Sequence, residues 1–245
     1  MNPCLLALDT STDQLAVALL APDGEFSRVE PGGPLASASL IPALMQLLSE
    51  AGLTLAQVQA IAFGQGPGAF TGLRTACAVA QGLAFAHDTP VLAIDSLLIA
   101  AEDARVQASD GAAPQDWWVA MDARMDEVYA ARYRFDAGAW QVLVAPQLWS
   151  LPALAAAWAA DPPRQVAGSA ITAFADRLPW DGAALWPQVG NRAGALLRLA
   201  SAAWDQGLGM AADQALPLYL RDKVALTTAE RMARRDALAS GGAAP

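Results

Sequence analysis

The sequence predicts an α/β protein of two related lobes, each a three-strand meander followed by helices. Three observations carry that prediction. First, Cys4 to Leu8 and Leu15 to Leu20 are apolar runs separated only by a short loop beginning "DTST" (Asp9 to Thr12), and "EFSRVE" alternates after the turn "PDG". Strands this close in sequence pair as an antiparallel meander. Second, Ala60 to Phe63 and Val91 to Ile94 are short apolar runs, each leading into a helical pattern. Third, Val119 to Ala131 can be laid over Leu6 to Ala18, with Asp122 on Asp9 (122 − 9 = 113) and Asp126 on Asp13 without a gap. The same strand order after the same aspartate reads as an internal duplication.

The elements follow in order. Cys4 to Leu8 is apolar throughout, as in a strand covered on both faces. After the join "PGGPLASAS", Leu40, Leu44, Leu47, Leu48 and Ala51 stand at helical spacing. Ser39 is the predicted N-cap of that helix, which places Pro42 in its first turn, where a missing N–H costs little. A helix from about Thr71 to Ala86 follows "GQGPGAF", with Thr71 as its predicted cap, and another begins near Ser96. In the second half, strands lead to a helix over Leu151 to Ala160 and a strand over Gln165 to Ala167. A tryptophan- and proline-rich region, a helix over Ala193 to Gln206 and strand-like "LPLYLRDKVA" come next, then helix-prone "TTAERMARRDALAS". The expected organisation is an N-terminal lobe over 1–105, completed by a C-terminal helix at about 193–206. A second, degenerate lobe spans 106–231 and a flexible tail 232–245.

Composition narrows the function classes. Of 245 residues, 55% are hydrophobic and 16% charged, which predicts a well-filled interior and hints at apolar surface covered by a partner. The net charge of −9 repels phosphate backbones, so any role with RNA needs a partner to supply basic surface. Cys4 and Cys77 read as buried free thiols. No secretory leader and no membrane-spanning run is read, and the expected compartment is the cytoplasm.

The stretch "GQGPGAFTGLRTACAVAQGLAFA" from Gly64 opens like a phosphate cradle, yet it lacks the lysine of a Walker loop. Its helix is apolar nearly all round, carrying Leu73, Ala76, Cys77, Val79, Ala80, Leu83 and Ala84, and so needs covering on both faces. The helix from Leu40 to Ala51 can supply one cover. A second subunit, forming an intersubunit four-helix bundle, can supply the other. The loop Asp9, Thr10, Ser11 reads as an Asx or Ser/Thr turn, with a relic phosphate loop as the alternative. His87, the single histidine, reads as a surface or helix-end residue, which leaves no metal set and no Ser–His–Asp triad. Asp122, Asp126 and Glu127 read as turn carboxylates before they read as acid/base machinery.

Two meander-plus-helix copies with an acidic residue after the first strand resemble the duplicated actin-like, ribonuclease-H-like (ASKHA) fold. The segments "LLALDTST", "GQGPGAFTGLR", "AQGLAFA", "MDARMDEVYAA" and "PLYLRDKVA" resemble the bacterial TsaB (YeaZ) family more closely. The resemblance runs from the first strand to about Arg231 and is loosest from Val142 to Asp213. Its motif residues here are Gly66, Pro67, Gly68, Phe70, Gly72, Arg74, Asp122, Arg124, Glu127 and Tyr129, with Ala69 where the family most often has serine.

The resemblance implies a non-catalytic subunit of the machinery that makes threonylcarbamoyladenosine in tRNAs reading codons beginning with A. It implies pairing with the paralogous enzyme TsaD through the first two helices, with the ATPase TsaE docking on the pair. A homodimer through the same surface is expected when TsaD is absent. The expected interface residues are Leu40, Leu44, Leu47, Leu48, Thr71, Leu73, Ala76, Val79, Ala80 and Leu83. The catalytic paralogue holds its metal through a histidine pair on the first helix; "LASASLIPAL" has no histidine, as expected of an inactive scaffold. No cofactor is expected on this chain alone, although ATP or ADP has a place at the subunit interface. tRNA is expected only through the complex, and no membrane. The alternatives are an independent ATPase or sugar-kinase-like enzyme of the same fold and, further off, a peptidase.

Overall fold

The computed structural model describes residues 2–33, 36–108 and 115–221. The predicted tail, the helix-prone segment before it and the end of "LPLYLRDKVA" lie outside the described residues.

The first sheet contains β1 (Leu5–Asp9), β2 (Gln14–Ala21), β3 (Gly24–Pro31), β4 (Ala60–Gly66) and β5 (Val91–Asp95), in the order β3-β2-β1-β4-β5. β2 runs antiparallel to β1 and β3, while β4 and β5 run parallel to β1. Between them lie α1 (Ala36–Glu50) and α2 (Phe70–Phe85), with α3 (Ser96–Ala108) after β5. The second sheet contains β6 (Gln115–Asp122), β7 (Glu127–Asp136), β8 (Ala139–Ser150), β9 (Gln165–Ala167) and β10 (Ala184–Trp186). Its order, β8-β7-β6-β9-β10, repeats the first sheet strand for strand, with the same parallel and antiparallel pairs. This is the duplicated actin-like fold in two lobes. α4 (Leu151–Ala160) and the short α5 (Ala170–Ala173) belong to the second lobe, and α6 (Arg192–Asp205) follows β10.

Strand alternation explains the layering, because successive side chains point to opposite faces. In β1, Leu6 and Leu8 join Leu44, Leu47 and Leu48 of α1 and Ala76 and Ala80 of α2 in one core. Leu5 and Ala7 face a second core with Ala193, Leu196, Leu197 and Ala200 of α6. In β6, Trp117 and Val119 pack on Leu97, Ala100 and Ala101 of α3. Trp118 and Ala120 pack on Leu154 and Trp158 of α4. Every sheet face is thus covered by helices.

Four local expectations are corrected. α1 begins at Ala36, so Ser39 lies inside the helix and Pro42 is its seventh residue, not a first-turn residue. Leu40, Leu44 and Leu47 are buried on either side of the proline, and this packing holds the helix through a position that lacks a backbone donor. α2 begins one residue before Thr71, after Ala69, which makes no side-chain cap, so Thr71 is not its cap. Residues 216–221 form no strand; they lie as an irregular strap across α2. Finally, Asp9 pairs with Ala16 but Asp122 pairs with Val128, so the second hairpin is one residue shorter (16 − 9 = 7; 128 − 122 = 6). Both aspartates still end the first strand of their lobe. The duplication therefore holds with one gap, not gaplessly.

Candidate functional site

The Asp9 side chain is fully buried at the end of β1, where a bare carboxylate is costly. Its oxygens are all engaged. The Ser11 amide donates to Oδ1 at 2.9 Å, an Asx turn, and the Ser11 hydroxyl lies 2.9 Å from the same oxygen. Ser96 Oγ donates to Oδ2 at 3.2 Å. Arg192, the first residue of α6, places Nε 3.0 Å from Oδ1 and Nη2 3.3 Å from Oδ2, and Nη2 also reaches Ser11 Oγ at 2.8 Å. Thr10 Oγ1 donates to the Gly72 carbonyl at 2.7 Å, and the Ala69 amide donates to the Ser11 carbonyl at 2.7 Å.

The glycines of the "GPGAFTG" loop serve this contact. A Cβ on Gly72 would lie 1.8 Å from the Thr10 carbonyl oxygen, and one on Gly68 would lie 2.4 Å from that of Ser11. These glycines let α2 seat directly on the Asp9 loop. Asp9 and Ser11 form an Asx turn, and the Thr10 and Ser11 hydroxyls and the Asp9 carboxylate of that loop all bond to groups of the chain itself.

Sequence reasoning missed Arg192. A single arginine opening an apolar helix ("RAGALL") beside a capping asparagine was the available sign; Asn191 Oδ1 accepts from the Gly194 amide at 2.9 Å. It also missed the polar ties between the lobes. Tyr133 Oη donates to Asp95 Oδ2 at 2.5 Å. Burial pushes the Asp95 carboxyl up against the hydrogen bonds and the Arg192 charge that lower it; burial and Asp95 hold the Tyr133 hydroxyl well above its ordinary value. Glu102 of α3 accepts from Arg198 Nε at 2.6 Å, from Trp140 Nε1 at 3.0 Å and from Arg105. Burial raises its carboxyl, but these donors outweigh burial and leave it below the usual range.

The expected interface residues divide sharply. Leu40, Leu44, Leu47, Leu48, Leu73, Ala76 and Ala80 are at most 2% exposed and face the chain's own core, so they offer no surface to a partner. Val79 and Leu83 are half-buried and Thr71 is exposed. The open side of the two helices instead carries Ile41, Met45, Ala78, Gly82 and Phe85, the last 82% exposed. Helical periodicity identifies an apolar stripe but not which of two apolar stripes meets the sheet.

The second motif lies on the β6–β7 loop. Asp122 Oδ1 accepts from the Arg124 amide at 2.8 Å, Glu127 pairs with Arg221 at 2.5 Å, and Asp126 pairs with Arg177 at 2.7 Å. The carboxylates are engaged separately, as turn residues are, and Tyr129 is half-buried against the α3 core. In the first motif, the Arg74 guanidinium lies 4.3 Å over the Phe70 ring, and Phe70 packs on Tyr219 at 5.0 Å. His87 is exposed in the turn after α2. Among the described residues, no three His, Cys, Asp or Glu side chains are grouped to hold a metal, and no helix is long and apolar enough to cross a membrane.

Comparison with known proteins agrees with this geometry. The family model described as "TsaD: tRNA N6-adenosine threonylcarbamoyltransferase" matches residues 36–176. The tRNA threonylcarbamoyladenosine biosynthesis protein TsaB of Escherichia coli is 30% identical over 241 residues, covering 90% of this chain and 96% of that protein. The Haemophilus influenzae protein of the same name is 40% identical over 160 residues, covering 61% of this chain and 65% of its own length, just under two thirds. The solved structure of YeaZ from Pseudomonas aeruginosa superposes with a TM-score of 0.80 at 41% identity, covering 89% of this chain and all of that one. With a relative matched over nearly its whole length and the same two-lobed structure, this chain belongs to the TsaB (YeaZ) family.

Proposed function

We propose that this chain is a non-catalytic, cytoplasmic subunit in the formation of threonylcarbamoyladenosine in tRNA, and that it acts by pairing with the threonylcarbamoyl-transferring enzyme TsaD. The observation that carries the non-catalytic reading is the sealing of Asp9. The loop through which ATPases of this fold hold phosphates is here closed by Arg192, Ser11, Ser96 and Gly72. Phosphate could be held there only by displacing the groups that engage the Thr10 hydroxyl and the Ser11 amide and hydroxyl, each a hydrogen bond that would have to be replaced.

The pairing surface in this reading is the open side of α1 and α2. Ile41, Met45 and Phe85 are large apolar side chains left exposed on adjacent helices, and the small, exposed Ala78 and Gly82 on the Phe85 side of α2 permit close helix approach. The same surface supports self-association when TsaD is absent, in the manner of a two-fold interface. TsaE docks on the pair, tRNA is reached through the complex, and this chain alone binds no nucleotide, the subunit interface being the place open to ATP or ADP.

The test is co-purification with the cognate TsaD, together with ATP turnover by the purified chain. Expected are a stable pair that supports threonylcarbamoyl transfer and no turnover by the chain alone. Steady multiple turnover without a partner overturns the non-catalytic reading.

A further inference from the structure

Residues 215–221 cross from one motif to the other, and both ends are specifically tied. At the near end the Ala215 carbonyl accepts from Gln81 Nε2 at 2.9 Å and from Cys77 Sγ at 3.3 Å, both on α2. The Leu218 amide donates to the Gln65 carbonyl at 2.7 Å. Gly66 makes that approach feasible, since a Cβ there would lie 2.8 Å from the Leu218 carbonyl oxygen. The Tyr219 ring packs on Phe70, and its hydroxyl accepts from Arg74 Nε at 3.2 Å.

At the far end Arg221 Nη2 donates to the carbonyls of Ala123 and Arg124 at 3.1 and 3.3 Å and to Glu127 Oε2 at 2.5 Å. These acceptors flank a backbone run that L-residues seldom form. Arg124, Met125 and Asp126 have φ values of +66°, +58° and +61° in succession. Non-glycine residues visit this region singly, so three together persist only where surrounding contacts over-determine them. Within the loop, the Arg124 amide is held by Asp122 and the Glu127 amide by the Arg124 carbonyl. Asp126 has its exposed pair with Arg177. Arg221 adds donors from outside the loop, on a side chain only 15% exposed.

We propose that this strap couples the first turn of α2 to the Arg124–Asp126 loop: while Tyr219 is seated on Phe70 the loop is held left-handed, and when the strap lifts the loop relaxes. Only Leu220 separates the residue that grips α2 from the residue that grips the loop, so displacement of one end withdraws the other. The coupling is reciprocal, as any linkage between two sites must be. A molecule that covers Phe70 and Arg74 is thereby sensed at the exposed Arg124 side chain, and the converse holds. The coupling is the same whichever partner binds.

Hydrogen exchange of the full-length isolated chain tests it, read at the amides of Arg124, Glu127 and Leu218. Tyr219→Ala touches none of the loop residues, yet it should speed exchange at Arg124 and Glu127 by about tenfold, the scale of a modest coupling. Glu127→Gln keeps the size of the side chain and weakens the far grip; it should speed exchange at Leu218. If Tyr219→Ala speeds Leu218 but leaves Arg124 and Glu127 unchanged, the two ends are independent and the proposal fails. Should circular dichroism show Tyr219→Ala unfolded, Glu127→Gln decides alone, and an unchanged Leu218 rate refutes the coupling.

Discussion

Asp9 and Arg192 are 183 residues apart in sequence and 3.0 Å apart in space, with side chains 0% and 1% exposed. The pair joins the end of β1 to the start of α6, so the last α-helix of the described residues is keyed to the first strand. A buried pair of this kind adds little over an apolar replacement, but breaking it strands a charge. Arg192→Met should therefore lower the unfolding free energy by about 3–5 kcal/mol in urea titrations. Adding Asp9→Asn should return a substantial part of that loss. A double variant no more stable than the single one would show that the charge left on Asp9 is not the source.

Orientation of α2 makes a second prediction. Ala76 is fully buried and Phe85 is 82% exposed, on opposite sides of one helix. Ala76→Glu should place a carboxylate in the core and leave the chain insoluble or unfolded, since an unpaired buried charge costs several kcal/mol. Phe85→Glu should keep the circular dichroism spectrum of the parent but elute as a monomer and fail to co-purify with TsaD. Retention of both self-association and pairing by Phe85→Glu would place the interface elsewhere.

Glu102 predicts a pH dependence. Its folded carboxyl sits below the unfolded value because Arg105, Arg198 and Trp140 outweigh burial. A depressed carboxylate contributes stability above its unfolded pKa, about 4.3, and loses it as pH falls through the folded value. Glu102→Gln should cost about 2 kcal/mol at neutral pH, the scale of hydrogen bonds to a charged group. Urea midpoints of variant and parent should converge as pH drops below about 4. A gap that stays constant with pH would assign the loss to packing.

The net charge of −9 yields the fourth prediction. Association with tRNA draws on counterion release by clustered basic groups, and an acidic chain offers little of it. Fluorescence anisotropy at physiological salt should detect no submicromolar binding of tRNA to the isolated chain. Tight binding in that assay would remove the need for a partner to supply the basic surface.

Much of the fold was legible because its determinants are local. Leu151–Ala160 and Gln165–Ala167 stand at both of their predicted ends, and β1 to β5 begin and end close to the runs that announced them. Alternation, turn residues and apolar runs act over a few residues, and a single sequence displays them directly. The repeated aspartate also revealed the duplication, missing only the one residue by which the second hairpin is shorter. Ser39 and Thr71 failed as caps because burial of Leu40 and Leu73 sets where α1 and α2 lie, and packing overrides a capping preference of about 1 kcal/mol.

The chemistry of the site was decided by tertiary structure alone. Nothing near "DTST" says that Arg192 will close it, nor does anything near "DARMDE" say that Arg221 will pin its left-handed run. Both are long-range ion pairs whose partners are brought together only when α6 returns to the first sheet and the strap crosses α2. The same is true of α2's two apolar sides. The sequence by itself determined that the helix needs cover on more than one side, because its side chains are apolar nearly all round. Which side remained open depended on where the sheet came to lie, and that position is a property of the whole packed chain.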